Sequence, residues 1–285
     1  SKKLSGNILS TPTIFAHSLS DLLGSSLFLK LENLQFTSSF KSRGAFIALH
    51  ELDEKNKKIG VITMSAGNHA QAVAFRSRQQ GIKSIIVMPE NTPFTKISKT
   101  KAYGAEIILT GRTLDETKVT VERLINENGF QLVHPFDDPH IITGQGTIGL
   151  EIMDEVPNLD YLVIPIGGGG LISGISIAAK SINPDIKIIG VESELYPSMS
   201  RSLAGLNLQS GGDTLAEGIA VKTPGELTKP VVKELVDKII LVNEQQIEWA
   251  VSALIEHQSI IAEGAGAAGL AAIYASHDTF KNKRV

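Results

Sequence analysis

The sequence predicts an α/β protein built on open, doubly wound sheets. Short apolar runs alternate along the chain with stretches of helical periodicity, which is the order that such folds require. Several of these runs are continuous in Val, Ile and Leu and lack the polar alternation of a half-exposed strand. Continuous apolar runs are typical of parallel strands that are buried on both faces.

The sequence contains eight predicted strands, and four of them cluster within the first half of the chain. In chain order they are SLFLKLE from Ser26, GVITM from Gly60, SIIVMP from Ser84, EIILTG from Glu106, FQLVHP from Phe130, YLVIPIG from Tyr161, IKIIGVE from Ile186 and KIILVN from Lys238. Four of them lie between about Gly60 and Pro135. We therefore expect a small domain, residues 46–135, inserted into a large domain made of residues 1–45 and 136–285.

The segments between the strands are predicted helices. Residues 70–80 form one, and Gly81 stands where a helix commonly ends. In open α/β sheets, ligands bind beyond the carboxyl ends of the strands. We therefore expect the functional motifs in the loops between strands and helices.

The composition excludes several classes of function. Hydrophobic residues make up 42% of the 285 residues, so the chain can bury a substantial core. A net charge of −3 gives no electrostatic case for binding nucleic acid or an anionic membrane. No apolar run approaches the roughly 20 residues that span a bilayer, and no secretory signal opens the chain, so we expect a cytoplasmic protein. The chain has no cysteine, which excludes disulfide and thiolate chemistry.

A run of glycines, Gly167, Gly168, Gly169 and Gly170, directly follows YLVIPI. Such a run offers successive backbone N–H groups, and a helix after it adds the positive end of its dipole, so it suits a phosphate. A flexible turn is the alternative. A dinucleotide site is another, because Glu192 ends the next strand where a ribose-binding acid would stand. However, the run fits neither G-x-G-x-x-G/A nor the P-loop pattern.

A second motif, Ser65, Ala66, Gly67, Asn68 and His69, lies between GVITM and a predicted helix. The N–H groups at a helix start suit a carboxylate, and Ser65 and Asn68 add side-chain donors. The alternative is that Ser65 or Asn68 simply caps the helix.

The third motif is SSFKSRGA, in which Lys41 follows Phe40. A single lysine is usually a solvated surface group. Lys41 stands out because small hydroxyl residues, an aromatic residue and a glycine surround it, in a chain that also carries a phosphate-binding run. A lysine amine can form a Schiff base with an aldehyde cofactor.

Taken together and in this order, the three motifs resemble the fold type II pyridoxal-phosphate enzymes, and specifically the threonine/serine dehydratase family, to which serine racemases are related. The likeness runs from Thr11 to the EGAGA segment at Glu263 and includes HPFDDPHIITGQGTIGLEI from His134 and TLAEGIAVKTP from Thr214. The resemblance implies a fold like that of the tryptophan synthase β subunit, with two doubly wound open-sheet domains and the cofactor, pyridoxal phosphate, in the cleft.

The resemblance also implies roles for single residues. Lys41 matches the lysine that forms the Schiff base and acts as the base at the substrate Cα, and Phe40 matches the aromatic residue beside it. Asn68 matches the asparagine that bonds the 3′-oxygen of the cofactor. The resemblance further implies that the cofactor phosphate is bound by Gly167, Gly168, Gly169, Gly170 and Leu171. It implies that Glu263 lies near the cofactor ring. It also implies that the substrate carboxylate is held by a loop made of Ser65, Ala66, Gly67, Asn68 and His69.

The implied reaction is dehydration and deamination of L-threonine, and of L-serine, to a 2-oxo acid and ammonia. The alternatives are a serine racemase, a dehydratase for another hydroxy amino acid, or a binding protein that has lost catalysis. Serine racemase relatives carry a serine where Ala66 stands. A methyl group cannot donate the proton that racemisation needs, so elimination should dominate. The resemblance leaves a role in isoleucine biosynthesis or in threonine catabolism open, and it implies a homo-oligomer, either a dimer or a tetramer.

Two departures from the family pattern matter. In the family, a Ser-Gly-Gly-Asn-like segment follows a last strand, whereas this sequence ends at Val285, where that strand should begin. We therefore expect the natural polypeptide to be longer than 285 residues. Some relatives bind a divalent cation through two acids. Glu192 matches the first, but Ser198 stands in place of the second, so we expect no metal, with Glu192 as the only remaining candidate ligand.

Overall fold

A computed structural model describes residues 6–206 and 210–285. Residues 1–5, with which the predicted large domain begins, lie outside the described residues. The chain forms two compact units. The first unit comprises Leu34–Gly144 and the described residues of Ser1–Leu9, and the second comprises Ser10–Asn33 and Gln145–Val285.

The strands and helices alternate over most of the chain. The strands are β1 (Thr13–Phe15), β2 (Phe28–Lys30), β3 (Val61–Met64), β4 (Ser84–Met88), β5 (Glu106–Leu109), β6 (Gln131–Leu132), β7 (Tyr161–Pro165), β8 (Lys187–Ser193) and β9 (Lys238–Val242). The helices are α1 (His17–Leu23), α2 (Lys41–His50), α3 (Glu54–Ile59), α4 (Asn68–Gln79), α5 (Phe94–Ala102), α6 (Leu114–Asn128), α7 (Pro139–Glu155), α8 (Gly170–Ile182), α9 (Ser198–Leu203), α10 (Thr228–Leu235), α11 (Glu244–Gln258), α12 (Gly264–Ala275) and α13 (His277–Phe280). Within the part of the chain that is described, no helix has both the length and the apolar character that crossing a membrane requires.

Each unit contains a parallel sheet. The strand order is β5-β4-β3-β6 in the described part of the first unit and β7-β8-β9 in that of the second, and every neighbouring pair within these sheets is parallel. All five residues of β4 are buried, as the uninterrupted run SIIVM predicts. Every predicted apolar run contains a strand, so the predicted α/β class is confirmed.

The second unit also contains an antiparallel pair, β1 and β2, of which the sequence predicts only β2. The final residues, 283–285, lie in an extended segment beside β2. The N–H of Phe28 donates to the carbonyl of Val285 at 2.8 Å, and the N–H of Tyr161 donates to that of Arg284 at 3.2 Å. This segment therefore connects β2 to the edge of β7.

The boundaries of the two units differ from the predicted ones, since residues 6–9, 34–45 and 136–144 lie in the first unit. The reason is the packing of α2, which contacts α4 and is approached closely by α7. A Cβ atom on Gly144 of α7 would lie only 2.5 Å from the Cα of Gly44 of α2. The next turn of α7 belongs to the second unit, where a Cβ on Gly146 would lie 2.9 Å from the carbonyl oxygen of Gly174. The helix α7 is thus shared by the two units.

Replacing Gly144 by alanine should destabilise the protein, because the added methyl group meets backbone that cannot move aside. Overpacking of this kind costs about 1–3 kcal/mol. Gly266 in α12 is the matched control, since a Cβ there would meet only the Ala262 methyl at 3.7 Å, and alanine is favoured over glycine within a helix by about 0.5–1 kcal/mol. Thermal unfolding should show a lower Tm for Gly144→Ala and an unchanged or higher Tm for Gly266→Ala. An equal Tm for the two variants would contradict the close packing of α2 and α7.

Candidate active site

Lys41 is the first residue of α2, and Phe40 is the residue that precedes the helix. Lysine is unusual at this position, because the partial positive charge of a helix N-terminus repels a cation. The Nζ atom donates a 2.8 Å hydrogen bond to the carbonyl of Pro135 and lies 5.4 Å from the centroid of the Phe40 ring. The amine is therefore held at a defined point beside a backbone carbonyl and an aromatic face.

The turn that presents the Pro135 carbonyl is held by His134. Its Nδ1 accepts the N–H of Phe136 at 3.3 Å and that of Asp137 at 2.8 Å, so the neutral ring carries its proton on Nε2. Burial lowers the pKa of His134; the charge of Asp137 opposes this effect and that of Lys41 reinforces it. The sequence places His134 at the start of a segment of family likeness but does not predict this role. The sequence feature that could have indicated this role is a histidine directly before a proline at the end of a predicted strand.

Arg76 of α4 fastens the first turn of α2. It is fully buried, and its Nε donates a 2.8 Å hydrogen bond to Oγ of Ser42, the neighbour of Lys41. Its guanidinium carbon lies between 5.0 and 5.5 Å from the ring centroids of Phe36, Phe46 and Phe75. Burial lowers the pKa of Arg76 to about 10, which leaves the group charged at neutral pH. The position of α2, which begins at Lys41, thus depends on the Arg76 guanidinium and on the three aromatic rings around it.

Residues 65–69, which we call the Ser65 loop, lead from β3 into α4. Gly67 precedes the helix, and no side chain caps the helix start. Oγ of Ser65 instead accepts the N–H of Gly67 at 3.2 Å, so the structure does not support the simple capping alternative. Ala66 is half-buried and packs against the core of the first unit. A helix start without a side-chain cap presents backbone N–H groups that can bind an anion.

The ring of His69 points into the core of the first unit. Its Nε2 lies 3.0 Å from the carbonyl oxygen of Val133, and its buried Nδ1 has no hydrogen-bond partner among the described residues. Burial, reinforced by the charge of Lys41, lowers the pKa of His69 to about 3. The side chain is therefore neutral at physiological pH.

Residues 167–170, which we call the glycine loop, lie between β7 and α8 in the second unit. Gly169 has a φ of 96°, and a Cβ on it would lie 2.6 Å from Oγ1 of Thr228. A Cβ on Gly167 would lie 3.1 Å from the Cα of Ile219. Gly169 admits no side chain, and a side chain on Gly167 would require its neighbours to shift. Leu171 is already in the first turn of α8. A bare backbone loop that leads into a helix start fits a phosphate group such as that of pyridoxal phosphate.

Glu263 directly precedes α12 in the second unit and is exposed. Its carboxylate lies beside Gly218, because a Cβ on that glycine would be 3.0 Å from Oε1 of Glu263. Gly218 itself, together with Ile219 and Val221, also lies beside Gly167. The second unit therefore brings together the glycine loop, the segment of residues 214–224 and Glu263.

Glu192, the candidate metal ligand, is fully buried and engaged by α9. Its two carboxylate oxygens accept the N–H groups of Met199 at 2.7 Å and Ser200 at 3.0 Å, so the side chain caps this helix. Burial raises the pKa of Glu192. Ser198 is the first residue of the same helix. Among the described residues, no group of three or more His, Asp or Glu side chains could hold a metal ion.

The proposed site residues thus fall into two sets, each assembled within its own unit. The set in the first unit is Phe40, Lys41, Ser65, Ala66, Gly67, Asn68 and His69. The set in the second unit is Gly167, Gly168, Gly169, Gly170, Leu171 and Glu263. The roles of these residues remain assignments from the family pattern.

Two curated relatives are similar to this chain over most of its length. The L-threonine ammonia-lyase of Thermotoga maritima is 48% identical over 277 residues, which are 96% of this chain and 69% of that protein. The L-threonine dehydratase catabolic TdcB of Staphylococcus aureus is 49% identical over 266 residues, which are 92% of this chain and 77% of that protein.

Solved structures confirm the fold type II assignment. The serine racemase of Dictyostelium discoideum superposes with a TM-score of 0.92 at 39% identity, covering 99% of this chain and 92% of that one. The processed form of threonine deaminase isoform 2 from Solanum lycopersicum gives a TM-score of 0.93 at 39% identity, covering 97% of this chain and 82% of that one. The family model described as "Pyridoxal-phosphate dependent enzyme" matches residues 4–285. The chain therefore belongs to the family of pyridoxal-phosphate-dependent enzymes.

Proposed function

We propose that this chain is an ammonia-lyase that acts on L-threonine and on L-serine. Loss of water across Cα and Cβ gives an enamine, and its hydrolysis returns the water and releases ammonia and a 2-oxo acid. The net reaction therefore converts L-threonine to 2-oxobutanoate and ammonia. The observation that carries this proposal is the 48% identity to an L-threonine ammonia-lyase over 96% of the chain.

The arrangement within each unit supports this proposal. When bound, pyridoxal phosphate withdraws electrons from the substrate Cα and so makes its proton removable. The glycine loop and the start of α8 hold the phosphate group through backbone N–H groups. Lys41 would hold the cofactor through its amine, and the Nζ atom is the group that would accept the substrate Cα proton. The Ser65 loop and the start of α4 bind the substrate carboxylate.

The proposal includes a metabolic role and a choice between elimination and racemisation. Relatives from Staphylococcus aureus whose name places them in threonine catabolism are 49% identical to this chain, which favours a degradative role over isoleucine biosynthesis. Serine racemase is the second candidate, since its structures superpose closely on this chain. Ala66 argues against it, because racemisation needs a proton donor on the face of Cα opposite Lys41 and an alanine methyl group cannot supply one.

Reduction of the holoenzyme with borohydride, followed by peptide mapping, should place the pyridoxyl label on Lys41, because this amine carries the cofactor. Lys41→Ala should lose the label and lower kcat by about a thousandfold or more, as expected when a proton-transfer group is removed. Lys55→Ala, at an exposed position of α3, is the control and should keep both label and activity. A label on another lysine would overturn the assignment.

Ala66→Ser should raise the ratio of racemisation to elimination of L-serine by about tenfold or more, because the new hydroxyl can return a proton to Cα. The measurement is the amount of D-serine relative to pyruvate, by chiral chromatography and a coupled assay. Ala66→Gly, which adds no hydroxyl, should leave the ratio unchanged. If the unmodified protein forms D-serine as fast as pyruvate, the elimination proposal fails.

The buried neutral state of His69 should make stability depend on pH. Its pKa is about 3 in the folded protein and ordinarily about 6.5 when unfolded, so between these values the unfolded chain binds the extra proton. Its contribution is complete above pH 6.5 and is lost as the pH falls towards 3, by on the order of 1 kcal/mol per pH unit. The Tm difference between the wild type and His69→Gln should therefore narrow between pH 7.5 and pH 5. Parallel Tm profiles would contradict the neutral assignment.

A further inference from the structure

Thr228 of α10 holds one carbonyl of the glycine loop. It is the first residue of the helix and is fully buried. Its Oγ1 donates a 2.6 Å hydrogen bond to the carbonyl of Gly168, and the N–H of Gly225 donates to the same oxygen at 3.1 Å. The Gly168 carbonyl is therefore tied to the start of α10 by two donors from a segment nearly sixty residues further along the chain.

These two bonds also determine where the next N–H group points. The C=O and the N–H of a trans peptide point in opposite directions, so fixing the carbonyl of Gly168 fixes the N–H of Gly169. Glycine peptides rotate with little steric hindrance, so a run of four glycines would otherwise adopt many arrangements. The carbonyl faces Thr228, and the N–H of Gly169 consequently faces away from α10.

Thr228 also fills the space behind the glycine loop. A Cβ on Gly169 would lie 2.7 Å from the Cβ of Thr228 and 2.8 Å from Cε of Met199. The hydroxyl therefore contacts the loop on the side opposite to the N–H groups that suit an anion. A residue in this place can orient the donors without touching the ligand.

We propose that Thr228 is a positioning residue for the cofactor phosphate, acting through the peptide that joins Gly168 and Gly169. Its hydroxyl keeps the N–H of Gly169 aligned with the N–H groups at the start of α8, so the loop is organised before the phosphate arrives. The inference rests on the proposed assignment of the glycine loop to the phosphate. The competing explanation is that Thr228 only stabilises the start of α10.

Comparing pyridoxal phosphate with pyridoxal separates these explanations, because pyridoxal has the same aldehyde and ring but no phosphate. Apoprotein of the wild type and of Thr228→Val, which keeps the shape and loses the hydroxyl, would be titrated with each compound and followed by absorbance. Loss of a buried hydrogen bond should raise the Kd for pyridoxal phosphate about tenfold. The Kd for pyridoxal should change less than twofold. Thr228→Ser, which keeps the hydroxyl, should restore the Kd for pyridoxal phosphate to within about threefold of the wild-type value.

Ser176→Ala is the matched control, since Ser176 is a buried residue of α8 whose Oγ donates to the carbonyl of Ile172 at 2.6 Å and lies outside the loop. It should lower Tm and leave both Kd values unchanged. If Thr228→Val does not fold, Thr228→Ala compared with Thr228→Ser gives the same test without a β-branched side chain. Equal weakening for both compounds, or no weakening for either, overturns the role of Thr228. If the wild type itself binds both compounds equally, the assignment of the glycine loop to phosphate fails instead.

Discussion

The close approach of α2 and α7 in the first unit is the constraint on which the position of Lys41 depends. The backbone of α2 at Gly44 lies so close to Gly144 of α7 that no side chain fits at Gly144. On its other side, α2 is held by the buried guanidinium of Arg76 through Ser42. The start of α2 is therefore fixed by steric contact and by a hydrogen bond, and the Lys41 amine projects from a rigid element instead of a flexible loop.

Much of the fold follows from the periodicity of the sequence. Runs rich in Val, Ile and Leu predict the strands of both parallel sheets, and the interior strands β3, β4 and β8 are largely buried, as such runs indicate. The strand β1 is missed, since three residues, two half-buried and one exposed, are too few to show a period. The two compact units also divide the chain at residues other than the predicted domain boundaries. The glycines at 144, 146 and 149 do mark close helix packing, but a glycine does not indicate which helix approaches it.

The candidate site is predictable where the chemistry lies in one segment and unpredictable where it depends on contacts across the chain. The Lys41 segment, the Ser65 loop and the glycine loop are each contiguous, and all three stand out in the sequence. Their supports are remote. The carbonyl that accepts the hydrogen bond from Lys41 belongs to Pro135, and the hydroxyl that fixes Gly168 belongs to Thr228. Both supports act on or through backbone atoms, which leave no pattern of residue types to recognise.

The neutral state of His69 has a consequence for how the protein meets its substrate in solution. Under the proposed assignment, backbone dipoles and helix ends bind the anionic groups, and no charged histidine stands at the Ser65 loop. Fields from dipoles fall off faster with distance than those of full charges, so little attraction extends beyond the first layer of solvent. An amino acid zwitterion has no net charge to be steered, and the protein has a net charge of only −3. Binding of the amino acid would therefore depend on its fit to the site rather than on long-range electrostatic attraction. The rate of binding should vary little with ionic strength.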